Sequence, residues 1–337
     1  MAETVFDTRA PVLITGGTGF VGSHLVERLV AEGYRVRCLV RRTSSLAWLP
    51  AGKVELAYGE AARNEGLREA VTGAALVFHA AGVTKARRPE EYHQGNVEGT
   101  ANLVRALEEN GEPGVRLVHV SSLAAVGPSP DGTPLTEDAV PRPLTHYGRS
   151  KLEGERIIER SRVKANAIIV RPAVVYGPRD TDVLKMFRTA CRGLLLRIGR
   201  EESYVSLVHV ADLVEGLLAA ARSPYGDARA YFAANPEPVS WSGFAGVVAE
   251  LAGRRLRTIR VPLAAAWALG LLAEAGSRFS AKPSILSREK IREARCRWWV
   301  CDTRRARREL GFTAKKSLRE GIAETLEWYR ISRWLRP

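Results

Sequence analysis

Cysteine is scarce and scattered. Cys38, Cys191, Cys296 and Cys301 form no CxxC pair, and no histidine stands near them at a zinc-ligand spacing, so no metal site is expected and the thiols read as free in a reducing cytosol. Long apolar runs are also missing. The longest candidate, Leu263 to Ala275, falls short of the roughly 20 residues that a membrane-spanning helix needs. The first residues, Met1 to Thr8, are polar and include Glu3 and Asp7, which excludes a secretory signal or a basic transit peptide and leaves a cytoplasmic protein as the expectation. Internal repeats and low-complexity tracts are absent. Lysine is rare, supplying only nine of the 51 basic residues.

What is present is a chain of 337 residues, 45% hydrophobic, with a formal charge of +14. That much apolar content in a chain of this length supports a large core and rules out disorder for most of it. The charge alone fits nucleic acid, an anionic membrane surface, an acidic substrate or an arginine-rich surface. It is unevenly placed: Arg278 to Arg308 holds eleven Lys or Arg against three acids. Beside it lies the apolar stretch Leu263 to Ala275, so residues 263–282 are the expected place for any peripheral membrane contact. Trp298 and Trp299 next to Arg295 and Arg297 look like a stacking patch, but an Arg-Trp-Trp-Val run entering a strand reads as packing, and no nucleic-acid partner is expected.

From Pro11 to Val170 short β-rich runs alternate with helical patterns, which signals parallel βαβ units. Strands are expected at Val12–Thr15, Arg35–Val40, Val54–Tyr58, Leu76–His79, Arg116–Ser121 and Ala167–Val170, with helices at Phe20–Glu32, Glu90–Glu109 and His146–Arg162. The fold class is therefore α/β: a Rossmann-type doubly wound parallel sheet in residues 1–170, followed by a smaller, mostly helical substrate lobe in 171–337 that interleaves with the sheet edge. Ligands of such sheets bind beyond the carboxyl ends of the strands. Gly127 to Pro143, with four prolines, reads as a long loop beside that site.

The motifs fall where the fold would put a site. Gly16, Gly19 and Gly22 stand between an apolar strand and an amphipathic helix, with Thr18, Phe20 and Val21 among them. This is the context in which backbone N–H groups at a helix N-terminus take a dinucleotide pyrophosphate. At the end of the second strand, Val40 occupies the place of the acid that reads an NAD ribose, and Arg41 and Arg42 follow; NADP is preferred, with NAD as the alternative. Glu60 and Ala61 are placed to meet the adenine. Ala80, Ala81 and Gly82 are small enough for the cofactor to lie against the backbone. Tyr147 and Lys151 share one helix face, where an ammonium would lower a phenol's pKa, and Ser122 could supply a second hydrogen bond to a reacting oxygen.

These residues, with Asn96-Val97-Glu98-Gly99-Thr100, Arg171-Pro172-Ala173-Val174-Val175-Tyr176-Gly177-Pro178 and Val208 to Asp212, resemble the extended branch of the short-chain dehydrogenase/reductase superfamily over most of the chain. The resemblance implies hydride transfer between nicotinamide and a ketone or secondary alcohol. Tyr147 would be the acid-base, Lys151 would lower its pKa and hold the nicotinamide ribose, Ser122 would polarise the substrate oxygen and Asn96 would order a proton relay. Pro172 and Val175 would border the cofactor. A homodimer through the helices Glu90–Glu109 and His146–Arg162 is implied as well. Leu123 and Ala124 stand where nucleotide-sugar dehydratases carry Asp-Glu, and Val174 where epimerases carry Asn. The pattern is more similar to the dihydroflavonol reductase and 3β-hydroxysteroid dehydrogenase side, whose small-molecule substrates are lipophilic. A nucleotide-sugar 4-epimerase with retained NAD is the second reading, and a non-catalytic nucleotide-binding protein the third.

Four further residues have two readings each. His146 could touch substrate or sit at a helix start, and His209 with Asp212 could cap a helix and tie the lobe to the sheet. Arg179 could clamp an anionic substrate or pair with Asp180.

Overall fold

The computed structural model describes residues 9–199, 201–262, 292–293 and 295–335. Seven parallel strands form its central sheet. They are β1 (Val12–Thr15), β2 (Val36–Val40), β3 (Val54–Tyr58), β4 (Leu76–His79), β5 (Arg116–Val120), β6 (Ala167–Pro172) and, from much later in the chain, β11 (Arg229–Ala233). Their spatial order is β3-β2-β1-β4-β5-β6-β11, so the order reverses beside β1, as in doubly wound nucleotide-binding sheets. Each strand is buried on both faces, and successive residues divide between two core layers. Val12, Ile14, Cys38, Phe78, Val118 and Ile168 enter one layer; Leu13, Leu39, Val77, Leu117 and Ile169 enter the other. Helices α1 (Phe20–Ala31) and α7 (Val210–Arg222) close the first layer through Leu25, Leu29, Leu213 and Leu217. Helices α2 (Leu67–Val71), α4 (Gly99–Asn110) and α5 (His146–Glu159) close the second through Val71, Leu103, Leu107 and Ile158.

Two helices differ from their expected form. The segment expected as one helix from Glu90 consists of a short α-helix, α3 (Pro89–Tyr92), a π turn at His93–Glu98 and then α4. The wider turn inserts Asn96 into the interior, at 2% exposure, and π turns inside helices are frequent at functional sites. Helix α5 stops at Glu159 instead of Arg162, where the Ser161 hydroxyl donates to the freed Ile158 carbonyl at 2.7 Å.

The division expected at residue 170 runs through β6. The chain leaves the sheet, builds part of the lobe, and returns as α7 and β11, because an amphipathic helix followed by Arg229–Ala233 is itself one more αβ unit for the open edge. The lobe has its own core around Tyr176, Phe187, Phe244 and Tyr329. It mixes the helices α6 (Leu184–Ala190), α8 (Trp241–Leu251) and Leu318–Ile331 with small two- and three-stranded sheets, one of them pairing Leu194–Ile198 with Arg257–Val261. The expected loop 127–143 lacks helix and strand and is anchored by a bridge from Leu135 to Cys301. Trp298 stacks on Tyr204 at 4.8 Å, which is packing. Residues 263–282, the expected membrane contact, lie outside the described residues apart from none of their neighbours being needed for the sheet. Among the described residues no helix is long and apolar enough to cross a membrane, and no three His, Cys, Asp or Glu side chains are grouped to hold a metal ion.

Phe244 is fully buried, with ring centroids of Tyr176 and Phe187 at 5.5 and 5.7 Å in edge-to-face geometry. Phe244→Ala should destabilise the lobe by about 3–5 kcal/mol, read as a lower midpoint in thermal unfolding.

Candidate active site

The carboxyl ends of β1, β4, β5 and β6 open into a cleft of 810 Å3 shared with the lobe. At its floor the turn after β1 is forced by close backbone packing. Gly16 has φ +75°, and a Cβ there would lie 2.6 Å from the Ala81 nitrogen; a Cβ on Gly22 would lie 2.1 Å from the Gly16 carbonyl oxygen. Gly19 caps α1 with no side-chain bond, and the first turn carries no acid. The free N–H groups and the positive end of the helix dipole are thus left to the cleft, which fits a dinucleotide pyrophosphate.

On the opposite wall Thr145 starts α5 by accepting the Gly148 N–H at 3.1 Å. Gly148 is required here, since a Cβ would lie 2.3 Å from the Ala124 carbonyl oxygen. That contact brings Tyr147 onto Ser122, with which its phenol shares a hydrogen bond; the Ser122 Oγ also accepts the Ala124 N–H at 3.1 Å. Burial pushes the Tyr147 phenol up, and the Ser122 hydrogen bond opposes the rise. This differs from the lowered value expected from Lys151. The Lys151 amine is itself 5% exposed and donates to the Val120 carbonyl at 2.7 Å, and burial pulls it down to about 8 against the attraction of Glu155.

Behind these groups lies a chain of neutral hydrogen bonds whose directions follow from proton counting. The Thr100 hydroxyl donates to the Asn96 carbonyl at 2.6 Å, so at His79, 3.0 Å away, it accepts from Nε2–H. His79 Nδ1 then accepts from the Thr15 hydroxyl at 2.7 Å. Burial lowers the His79 imidazole to about 3, so it stays neutral. Asn96 accepts from Val83 N at 2.7 Å and donates to Val83 O at 3.0 Å and Ser150 Oγ at 2.8 Å.

The cleft brings together Gly16, Gly19, Phe20, Val21, Gly22, Ala80, Gly82, Ser122, Tyr147, Lys151, Pro172 and Val175. Seven of the expected residues do not line it. Thr18 and Ala81 belong to the turn's supports, Ala81 donating its N–H to Thr15 Oγ1 at 3.3 Å. Asn96 is occupied in bracing Val83 and Ser150. Ala61 is buried in the core layer over β1, because its short 3-10 turn packs under α4. Arg41, Arg42 and Glu60 stand at the outer rim: Arg41 pairs with Glu60 at 3.6 Å, and Arg42 lies over the Tyr58 ring at 5.1 Å.

Arg179 faces neither substrate nor Asp180. It bonds Ser23 at 3.0 Å and Glu27 at 2.5 Å and lies over Trp48, while Asp180 accepts the N–H groups of Asp182 and Val183. His146 is exposed at the start of α5; His209 caps α7 and Asp212 holds Lys316 N at 3.0 Å. The substrate half of the cleft went unanticipated. It is lined by Met186, Leu195, Trp241 and Trp299, with Lys85 and an Arg197–Glu202 pair. These residues come from segments far apart in the chain and carry no local motif. Gly148 did carry a signal, as a small residue directly after the site tyrosine.

The profile of the NAD dependent epimerase/dehydratase family matches residues 12–232. The chain belongs to this family. A ceramide reductase of Caulobacter vibrioides (strain NA1000 / CB15N) is 32% identical over 98% of this chain and 97% of its own length. A 4-hydroxy-2-methyl-3-oxo-4-farnesyl-3,4-dihydroquinoline-1-oxide ketoreductase of Stigmatella aurantiaca is 30% identical over 92% and 93%. Among solved structures, MoeE5 in complex with UDP-glucuronic acid and NAD superimposes with a TM-score of 0.75 at 29% identity, covering 96% of this chain and 99% of that one. The family is NAD(P)-dependent, and its member here is an oxidoreductase or epimerase enzyme.

The glycine contacts separate two substitutions. A Cβ at Gly19 meets only the Gly16 oxygen at 3.2 Å, against 2.1 Å at Gly22. Gly22→Ala should therefore lower the thermal midpoint and abolish dinucleotide binding in a fluorescence titration, whereas Gly19→Ala should keep the fold.

Proposed function

We propose that the protein is an NADP-preferring reductase that passes a hydride to a ketone on a lipophilic molecule, with Tyr147 as the proton donor. The observation that carries this reading is the substrate half of the cleft. Its walls are apolar, and the cations in its described lining other than Lys151 are already paired, Arg197 with Glu202 at 2.9 Å and Lys85 with Asp182. A nucleotide sugar would ask for free cations to meet its diphosphate. The relatives' names agree, since they join reductase activities to ceramide, a farnesyl-bearing 3-oxo compound and a 2-alkyl-3-oxoalkanoate. The second reading, a 4-epimerase, is favoured only by nucleotide-sugar complexes among the structural neighbours.

Bound NADPH would supply the hydride. The α1 N-terminus with Gly16, Gly19 and Gly22 would hold its pyrophosphate, and Arg41 and Arg42 would meet a 2′-phosphate once Arg41 turns from Glu60. Lys151 would hold the nicotinamide ribose. Tyr147 keeps its proton in the empty cleft, as a donor to a carbonyl oxygen must, and Ser122 stands beside it as a second donor to the developing alkoxide. The apolar wall would exclude water from the reacting carbon.

Tyr147→Phe should lower kcat by about 1000-fold or more while dinucleotide affinity stays within a factor of a few, measured as NADPH oxidation with an alkyl ketone. Turnover of a UDP-sugar by a tightly held NAD, with no NADPH consumed, would overturn the reductase in favour of the epimerase. Arg41→Ala combined with Arg42→Ala should raise the Kd for NADP by about 10-fold or more and leave that for NAD nearly unchanged; equal losses for both would refute the preference.

A further inference from the structure

Tyr147, Lys151 and Glu155 follow one another at four-residue intervals on α5 and so lie on one face of the helix. The first two reach the cleft; Glu155 is fully buried beneath them, at 0% exposure. Its carboxylate is clamped from two strands. Arg171 on β6, 5% exposed, donates through Nε at 3.0 Å and Nη2 at 2.7 Å, one bond to each carboxylate oxygen. The Ser121 hydroxyl, at the end of β5, donates to Oε1. The chain neighbours of these two residues, Ser122 and Pro172, both line the cleft.

A buried ion pair of this kind is weak evidence for stability, because apolar residues of similar size can serve as well. Its placement suggests another use. The titratable and charged groups facing the Lys151 amine are Tyr147 and Glu155 from its own helix, His79 from β4 and His119 from β5, with Arg171 behind Glu155 on β6. Burial keeps both imidazoles neutral. Among the described residues Glu155 is thus the anion that favours the charged amine.

We propose that Glu155 is the positioning residue of the site: its carboxylate, oriented by Arg171 and Ser121, holds the Lys151 amine in its protonated form and in place beneath the cleft. The functional consequence rests on the reading of Lys151 as the ribose-holding and tyrosine-assisting group. The electrostatic part can be tested without turnover, so the two can fail separately.

The chain's nine lysines make the amine directly observable. In apoprotein labelled with 15N-lysine, the Nζ resonance of Lys151 is identified by its loss in Lys151→Arg, and its titration is followed by NMR. The midpoint should lie near 8 in the natural protein and fall by about one unit or more in Glu155→Gln, since an opposing charge has been removed from a buried site. A merely structural Glu155 would lower the thermal midpoint and leave this titration where it was; a folded Glu155→Gln protein with an unchanged midpoint overturns the proposal. If Glu155→Gln does not fold, Glu155→Asp draws the carboxylate back by one methylene and should lower the midpoint by a smaller step, and an unchanged midpoint in that variant overturns it equally. Loss of the reductase reading alone would show as normal turnover in Tyr147→Phe with the Lys151 shift intact.

Discussion

The site depends on how closely helix α5 can approach the turn that ends β5. The first turn of α5 rests on the Ala124 carbonyl with no room for a side chain at Gly148, and this contact sets Tyr147 on Ser122 and Lys151 under the cleft. The same helix buries Leu152 and Ile158 in the core. Its position is therefore fixed by packing, and the reactive groups inherit that rigidity. A looser helix would still contain Tyr147 and Lys151 at the right spacing, but a displacement of about 1 Å can cost two orders of magnitude in rate.

Burial then determines the charge states. A parallel sheet covered on both faces leaves little water near the strand ends, so each titratable group there shifts toward its neutral form unless a partner resists. His79 and His119 yield fully, and Tyr147 retains its proton. Lys151 is resisted by Glu155. The result is a wall of neutral donors around one poised amine, suited to stabilising charge that develops only during reaction. The lobe supplies the complementary condition: an apolar wall whose cations are already paired.

Much of this was legible in the chain. The first six strands, the glycine turn and the Tyr147–Lys151 pair follow from strongly periodic segments and short-range spacing, and they stand within a residue or two of where the pattern puts them. The return of Arg229–Ala233 to the sheet was not, because nothing local to that strand says which edge it will meet. Arg179 shows the same limit. Its sequence neighbour Asp180 looked like its partner, yet a backbone at φ +72° turns it toward Glu27, 152 residues earlier in the chain. Ala61 and Asn96 were expected at the cofactor and in the proton relay; the former lies in the core and the latter braces a loop.

The sequence by itself determined the α/β class, the dinucleotide turn and the identity of the reactive groups, because hydrophobic period, glycine spacing and the i, i+4 step are properties of adjacent residues. Only the tertiary structure decided which charges those groups carry, which arginines are already committed and what the substrate wall is made of. Those depend on burial and on partners from distant segments, and desolvation acts on a group only once the rest of the chain has closed around it.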